Sequence, residues 1–402
     1  MQGRKVYLDH SATTQLGKEA YDAMKPFMED VFGNASSIHS YGQEAKKHLE
    51  NSRENFAKLL NAESPEEIIF TGSGTESDNL ALKGAAFANR DKGNHIITSS
   101  IEHHAVLNTC QYLEKQGFEV TYVPVDGNGT VNPQDVRKAI KKETILVSIM
   151  HANNEVGTIQ PIKEIARIIS AENQTRFTGA FGGIYFHTDA VQTAGKLPVD
   201  VQELGVDLMS LSAHKFYGPK GVGALYRRSG TRIQPIIHGG HHERNLRAGT
   251  ENIAGISGMV KALETSMSGM EKEQKRLSAL KEKLEKGILE KIPYTSVNGA
   301  SAKRIAGISN ILFQFIEGES LVVSLDMRGI ACSTGSACAS GSTEPSHVLK
   351  AMCVDPALAQ GAIRFSLGKA NSEKDIDYVL KVLPDIVAKL REISPLWKTK
   401  RQ

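Results

Sequence analysis

Between about residues 66 and 228, short apolar and β-branched runs alternate with segments of helical spacing. That alternation constrains the fold more than any other feature of the chain. EEIIF (66–70), HIITSS (95–100), EVTYVPV (119–125), TILVSIM (144–150), IYFHTDA (184–190), LMSLSA (208–213) and GALYRR (223–228) read as strands. Between them 76–88, 104–117, 133–140 and 162–173 read as helices. Such alternation requires crossover connections and gives a largely parallel sheet with helices on both faces. The segment NQTRFTGAFGG (173–183) is rich in turn residues and reads as a surface excursion. A long amphipathic helix is expected over 256–291. The C-terminal part then reads as α+β, with strands at 308–315 and 362–368 and helices at 318–329 and 373–393. No internal repeat or low-complexity tract is present.

A chain of 402 residues, 40% of them hydrophobic, has room for two or three domains with sizeable cores. Its 48 basic and 45 acidic residues leave a net charge of +3 with no basic stripe. A nucleic-acid or membrane-surface partner is therefore not expected. No apolar run approaches membrane-spanning length, and the start of the chain lacks an apolar signal core. The four cysteines, Cys110, Cys332, Cys338 and Cys353, form no CxxC pair. Free thiols in a reducing compartment, and a cytoplasmic location, are the expectation.

Several strand ends carry chemistry. In SLSAHKFYGPKGVGALY (210–226), Lys215 follows His214 at a strand end and precedes a Gly-rich turn. Open α/β sheets bind ligands outside the carboxyl ends of their strands. A lysine placed there beside another cation is suited to Schiff-base chemistry, although most turn lysines are simply solvated. FTGSGTESDNLALKG (70–84) is a strand, a Gly/Ser/Thr turn and a helix. It reads either as a phosphate cup with Thr75 or as a plain helix cap by Ser73 or Thr75. Asp189 ends another strand, three residues before Gln192, and reads as a pyridinium partner or an N-cap. His103 and His104 stand at a third junction, and His151, Asn153, Asn154 and Glu155 at a fourth. The histidines of HGGHHERNLRAGT (238–250) lack cysteine partners at zinc-site spacing, and no metal is expected. Cys338 lies in ACSTGSACASGSTEPSH (331–347), among small polar residues that build no core. It reads as an exposed reactive thiol or as a serine-like filler. Taken together, a lysine, a carboxylate, a histidine and a phosphate cup at four strand ends are the set that pyridoxal phosphate requires.

In this order and number the motifs YLDHSATT, FTGSGTESDNLA, IEHHAVL, MHANNEVG, TDAVQTAGKLPVD, SAHKFYGPKGVGALY, HGGHHERNLRAGT, STGSACASGSTEPSHVL and IRFSLG resemble the cysteine desulfurases of the NifS/IscS family, over nearly the whole chain. The resemblance implies an α/β fold of type I among pyridoxal-phosphate enzymes. That fold has a large domain (16–260) with a mostly parallel seven-stranded sheet flanked by helices. A smaller α+β domain (1–15 and 261–402) carries the catalytic-cysteine loop, at about 329–345. It implies conversion of L-cysteine to L-alanine, with sulfur held as a persulfide on Cys338 for iron–sulfur cluster assembly. Lys215 would hold the cofactor as a Schiff base, Asp189 its pyridinium nitrogen and Gln192 its phenolic oxygen. His103 would stack on the ring and move protons. Gly74, Thr75, Ser212 and His214 would bind phosphate, and Thr250 would reach the phosphate of the neighbouring subunit in an obligate homodimer. Asn154 and Arg364 would hold the substrate carboxylate. The implied sulfur acceptor is a scaffold protein of the IscU/NifU type. A selenocysteine lyase of the same fold, and a catalytically silent platform that binds a scaffold, are the alternatives. Cys332 reads as an inert small residue or a second sulfur carrier.

Overall fold

The computed structural model describes residues 4–176, 183–334, 345–395 and Trp397. Its strands are β1 (Val6–Tyr7), β2 (Ile68–Thr71), β3 (His95–Ser99), β4 (Glu119–Val123), β5 (Thr144–Ser148), β6 (Tyr185–Asp189), β7 (Leu208–Ser212), β8 (Gly223–Arg227), β9 (Thr295–Val297), β10 (Ile308–Phe313), β11 (Ile330–Ala331), β12 (Ser333–Thr334) and β13 (Ala362–Ser366). The helices are α1 (Lys18–Met24), α2 (Pro26–Glu29), α3 (Ser40–Leu60), α4 (Gly74–Ala88), α5 (His104–Lys115), α6 (Pro133–Ala139), α7 (Ile162–Arg176), α8 (Val201–Leu204), α9 (Ile253–Ser268), α10 (Met270–Lys291), α11 (Gly318–Asp326), α12 (His347–Ala351), α13 (Pro356–Ala359) and α14 (Glu373–Ile393).

The main sheet has seven strands in the order β2-β8-β7-β6-β5-β3-β4. Strand β8 is antiparallel to both of its neighbours, and every other pairing is parallel. Six strands therefore run one way, and their carboxyl ends share one edge. Every residue of β3, β5 and β7 is buried, which is why these strands read as continuous apolar runs rather than alternating ones. The two faces sort by parity. Ile69, Ile96, Leu146 and Leu225 pack with Leu80 and Leu82 of α4 and Val106 and Leu113 of α5. Phe70, Ile97, Val147 and Phe186 turn the other way, onto Phe56 of α3, Ile165 of α7 and Met259 of α9.

A second, four-stranded sheet, β12-β13-β10-β9, is antiparallel throughout. Its core joins Ile311, Phe313, Ile363 and Phe365 to Leu280 and Leu284 of α10, Leu321 of α11 and Leu383 of α14. The N-terminal segment returns to this side, where β1 pairs in parallel with β11.

Three expectations change. The single helix over 256–291 is two helices, broken at Gly269. Its apolar stripe serves two cores: Ile256 and Met259 of α9 join the main-sheet core, whereas Leu277 and Leu284 of α10 join the second. Glycine, a poor helix former, marks the change of partner. Helix α3, 21 residues long, had no counterpart in the sequence reading. It starts at His39, whose ring accepts from the Gly42 N–H, and stops at Asn61 in the left-handed region (φ 56°). The supposed excursion at 173–183 begins as helix, with α7 continuing to Arg176, and residues 177–182 lie outside the described residues. Asn173 exchanges hydrogen bonds with the backbone of Ile184, and Arg176 donates to the Thr144 carbonyl, so both are tie points rather than turn formers.

Gly223 opens β8 where the chain crowds the site edge. A Cβ there would lie 2.6 Å from the Ser73 carbonyl carbon and 2.8 Å from the Leu211 oxygen, whereas one at Gly127 would meet nothing within 4 Å. Gly223→Ala is expected to destabilise the protein by about 1–3 kcal/mol. Gly127→Ala should leave the thermal midpoint unchanged, and a scan of the two variants side by side checks this.

Candidate active site

The shared edge of carboxyl ends holds a cavity of about 350 Å³. Gly74 and Thr75 reach it after β2, His103 after β3, Met150 and Asn154 after β5, Asp189 and Gln192 after β6, and Ser212, His214 and Lys215 after β7. Two distant parts of the chain close it: Ser11 and Ala12 from the N-terminal segment, and Arg364 from β13. Ten of the residues expected at the site thus line one cavity. Thr250 does not. It is exposed and lines a separate hollow with Gly72 and Arg247, in a loop tied to the first turn of α4 by Arg247 Nε and Glu76 (2.8 Å). Cys338 lies outside the described residues.

Helix α4 begins at the cavity, with the Ser73 side chain accepting from the Glu76 N–H. The next residue must be small. A Cβ on Gly74 would approach Val191 Cγ2 to 2.7 Å and Ser212 Cβ to 3.1 Å. The absence of a side chain lets the helix start settle onto the ends of β6 and β7, where its free N–H groups favour an anion.

Lys215 Nζ donates to the carbonyls of Ser11 (2.6 Å) and Ala12 (2.8 Å). The segment that supplies them is fixed by Thr14, whose N–H and hydroxyl both donate to the His214 carbonyl at 2.9 Å. His214 Nδ1 also lies 3.1 Å from the Thr13 hydroxyl. Ser11 and Ala12 had been recognised only as part of a motif. They act through backbone carbonyls, which no side-chain pattern reports.

His103 is both N-cap and cavity residue. Its Nδ1 accepts from the Ala105 N–H at 3.1 Å, so the neutral ring carries its proton on Nε2. Burial, then the charge of Lys215, pushes its pKa down to about 4. The ring is therefore neutral at pH 7. Asp189 is buried, and its Oδ1 accepts from the Val191 N–H at 2.8 Å. Burial raises its pKa to about 6 against the pull of that N–H and of Lys215. Asp78 of α4, which the motifs do not single out, lines the same cavity. Burial and the Asp189 charge push Asp78 well above the usual carboxylate range, so Asp78 holds a proton while Asp189 keeps the charge near Lys215. An aspartate on the buried side of a helix rich in Ala and Leu was the signal for it.

Arg364 is buried. Its Nη1 donates to the Asn154 carbonyl (3.0 Å) and its Nη2 to Asp9 Oδ1 (2.9 Å), while Nε has no hydrogen-bond partner among the described residues. Cys332 packs in the second core, and burial raises its thiol to about 12, which fits an inert small residue rather than a sulfur carrier.

The chain belongs to the class-V aminotransferase family, whose model matches residues 6–379. Within that family it stands with the cysteine desulfurases of the NifS/IscS group. A Dictyoglomus turgidum protein named cysteine desulfurase IscS is 54% identical over 402 residues, 99% of each chain. A Methanosarcina thermophila protein of the same name is 54% identical over 395 residues, covering 98% of this chain and 95% of its own. Among solved structures, a "NifS-like protein" matches 96% of this chain and 100% of its own at 41% identity and a TM-score of 0.88. "SspA in complex with cysteine" matches 90% and 99% at 38% identity and a TM-score of 0.78. The cofactor of this group is pyridoxal 5′-phosphate, and the cavity fits it. Asp189 suits a ring nitrogen and Lys215 an aldehyde. The close start of α4, with Gly74 stripped of a side chain, suits a phosphate.

Glu102 stands behind the cavity wall, fully buried. Its Oε1 accepts from Ser99 Oγ (2.5 Å) and the Met150 N–H (3.0 Å), while Oε2 has no hydrogen-bond partner among the described residues. Burial raises its pKa from the ordinary 4.5 to about 8. Between those values the folded protein binds more protons than the unfolded chain, so this group makes stability fall as pH rises from 4.5 to 8. Glu102→Gln removes that titration. The variant is expected to lose less stability than the wild type between pH 5 and pH 8 in parallel denaturant titrations. An unchanged pH slope would refute the assignment.

Proposed function

We propose that the residues of this cavity, together with Cys338, carry out desulfuration of L-cysteine. The observation that best supports this reading is the convergence of Lys215, Asp189, His103 and Arg364, from four different segments, on one cavity. When bound, pyridoxal phosphate supplies an aldehyde for the substrate amine and an electron sink for charge left on its α-carbon. Ionised Asp189 holds the ring nitrogen protonated, and neighbouring Asp78 stays neutral. Gly74, Thr75, Ser212 and His214 hold the phosphate. Lys215 would hold the aldehyde at rest and would serve as the base for the substrate α-proton. His103, neutral and with its proton on Nε2, would face the ring and could pass a proton without first having to lose a charge.

Arg364 and Asn154 orient the substrate carboxylate. The guanidinium is anchored by Asp9 and the Asn154 carbonyl, each through one N–H, which leaves the second N–H of Nη1 and of Nη2 for a carboxylate oxygen. Sulfur transfer falls to Cys338: its thiolate bonds to the substrate sulfur and the substrate Cβ–S bond breaks. The electron pair stays on carbon and is protonated, and the product is alanine. Both described roots of its loop stand beside the site. Thr334, four residues before Cys338, pairs with Ile363, the neighbour of Arg364. Ser346, eight residues after it, donates to buried Glu155, next to Asn154. Four residues reach at most about 14 Å.

The proposal extends to the assembly. Thr250, exposed and outside its own chain's cavity, serves the cavity of a second copy, which makes the protein a homodimer. The persulfide passes to a scaffold protein of the IscU/NifU type. The large body (16–260) supplies Lys215, the smaller one (1–15 and 261–402) supplies Arg364, and the cavity lies where they meet. The three described cysteines are free, which suits a reducing cytoplasm, and no described helix is long and apolar enough to cross a membrane.

Two variants separate the roles. Lys215→Ala is expected to keep its fold but lose the visible absorbance that borohydride bleaches. Cys338→Ala is expected to keep that absorbance and its response to added L-cysteine, yet to release alanine at under about one-hundredth of the wild-type rate, the loss usual for a missing nucleophile. Full alanine release by Cys338→Ala would make that thiol a bystander.

A further inference from the structure

A second cavity, of about 330 Å³, backs onto the first, and Ser11 lines both. Lys196 lies on its wall, in the turn that follows β6. This turn is helical in its bonding, with the N–H groups of Ala194 and Leu197 donating to the carbonyls of Ala190 and Thr193. Gly195, in the left-handed region (φ 70°), turns Lys196 back toward Gln192. Lys196 Nζ donates to Gln192 Oε1 at 3.3 Å, and Gln192 Nε2 donates to the Ser11 carbonyl at 3.0 Å. That same carbonyl accepts from Lys215 Nζ. Three side chains thus form one line from the second cavity to the active-site lysine.

The chemistry of this line is directional. An amide side chain has two ends that differ only in hydrogen bonding, and a flip normally costs little. Here an ammonium, which can only donate, meets one end, and a carbonyl, which can only accept, meets the other. Flipping the amide would set N–H against N–H⁺ and oxygen against oxygen at the same time.

We propose that Lys196 is a positioning residue whose ammonium locks the Gln192 amide with its N–H₂ toward Ser11 and the cofactor cavity. This rests on the reading of that cavity as the pyridoxal-phosphate site, where Gln192 donates to the phenolic oxygen. The lock depends on charge. Burial, then Lys215 and Arg364, push the Lys196 amine down to about 7. His10 and Lys369 share the cavity with it, and α10 adds Lys272, Glu273 and Arg276, so cations outnumber the one carboxylate. Below pH 7 the ammonium holds the amide. Above it the neutral amine accepts as readily as it donates, and the lock relaxes.

The test uses the affinity of the apoprotein for pyridoxal phosphate, read by fluorescence titration from pH 6 to pH 9, and the pH midpoint of the bound cofactor's visible band. The wild type should bind more weakly above pH 7, by about fivefold, the worth of one net hydrogen bond. Lys196→Met should bind about fivefold more weakly at pH 6 and lose the pH dependence. It should also move the band's midpoint upward, because a cation near Lys215 is gone. Lys196→Arg, always charged and donor-only, should keep the tight affinity and be flat in pH. The Arg variant and the wild type alone decide the matter if the Met variant does not fold. Wild-type affinity and midpoint in Lys196→Met, or an Arg variant that still weakens above pH 7, would overturn the lock while leaving the cofactor site intact. A wild type that forms no visible band with pyridoxal phosphate would instead overturn the site reading, and the lock with it.

Discussion

Six strands of the main sheet run in one direction, and everything in the active cavity depends on that. Parallel strands cannot be joined by tight turns, so β2 to β6 are each followed by a crossover, while β7 turns straight into antiparallel β8. The start of each crossover lies at the same edge as all the others. Lys215, Asp189, Asn154 and His103 follow β7, β6, β5 and β3, which are consecutive neighbours in the sheet. Strand spacing of roughly 4.8 Å therefore sets how far apart these groups begin. Strand β8, the one reversed member, enters between β7 and β2 and brings Gly223 rather than a side chain to the crowded edge.

Such convergence is electrostatically expensive, and the surroundings offset it. Three buried carboxyl groups, Asp78 and Asp189 on the cavity wall and Glu102 behind it, sit where burial favours their neutral forms. They do not all ionise. Asp189, nearest to Lys215, keeps the charge, and the other two hold protons. On the opposite side the N-terminal segment supplies carbonyl dipoles to Lys215 instead of a second carboxylate.

The sequence made the strand framework legible because most main-sheet strands are buried runs bounded by turn residues, the half-buried edge strand β4 being the exception. The site was legible for the same reason: side chains such as Lys215 and Asp189 stand at the ends of those runs. Taken singly, Lys215 and His103 also have ordinary readings; their recurrence with Asp189 at several strand ends, and the family resemblance, point to one site. What escaped falls into two kinds. Ser11 and Ala12 act through their backbones, and Lys196 acts through Gln192, so no residue-type pattern marks them. Helix α3 and the break at Gly269 depend on which core a stripe faces, and that is a tertiary fact. The stripe over 256–291 has continuous helical spacing, yet its two halves bury against different sheets.

The thiols follow the same logic of burial. Cys110 and Cys332 sit in packed cores where ionisation is suppressed, the second with its pKa raised to about 12. Burial protects such a thiol and also disables it, since the thiolate is the nucleophile. A sulfur acceptor on this scaffold must therefore come from outside the two cores, on a segment with few apolar residues to commit it to either. The stretch STGSACASGST (333–343) has that composition. Its described roots are fixed on one side by the pairing of β12 with β13 and on the other by Ser346, which both caps α12 and bonds Glu155. Those two fixed points are the described ends of the segment to which we assign the sulfur acceptor.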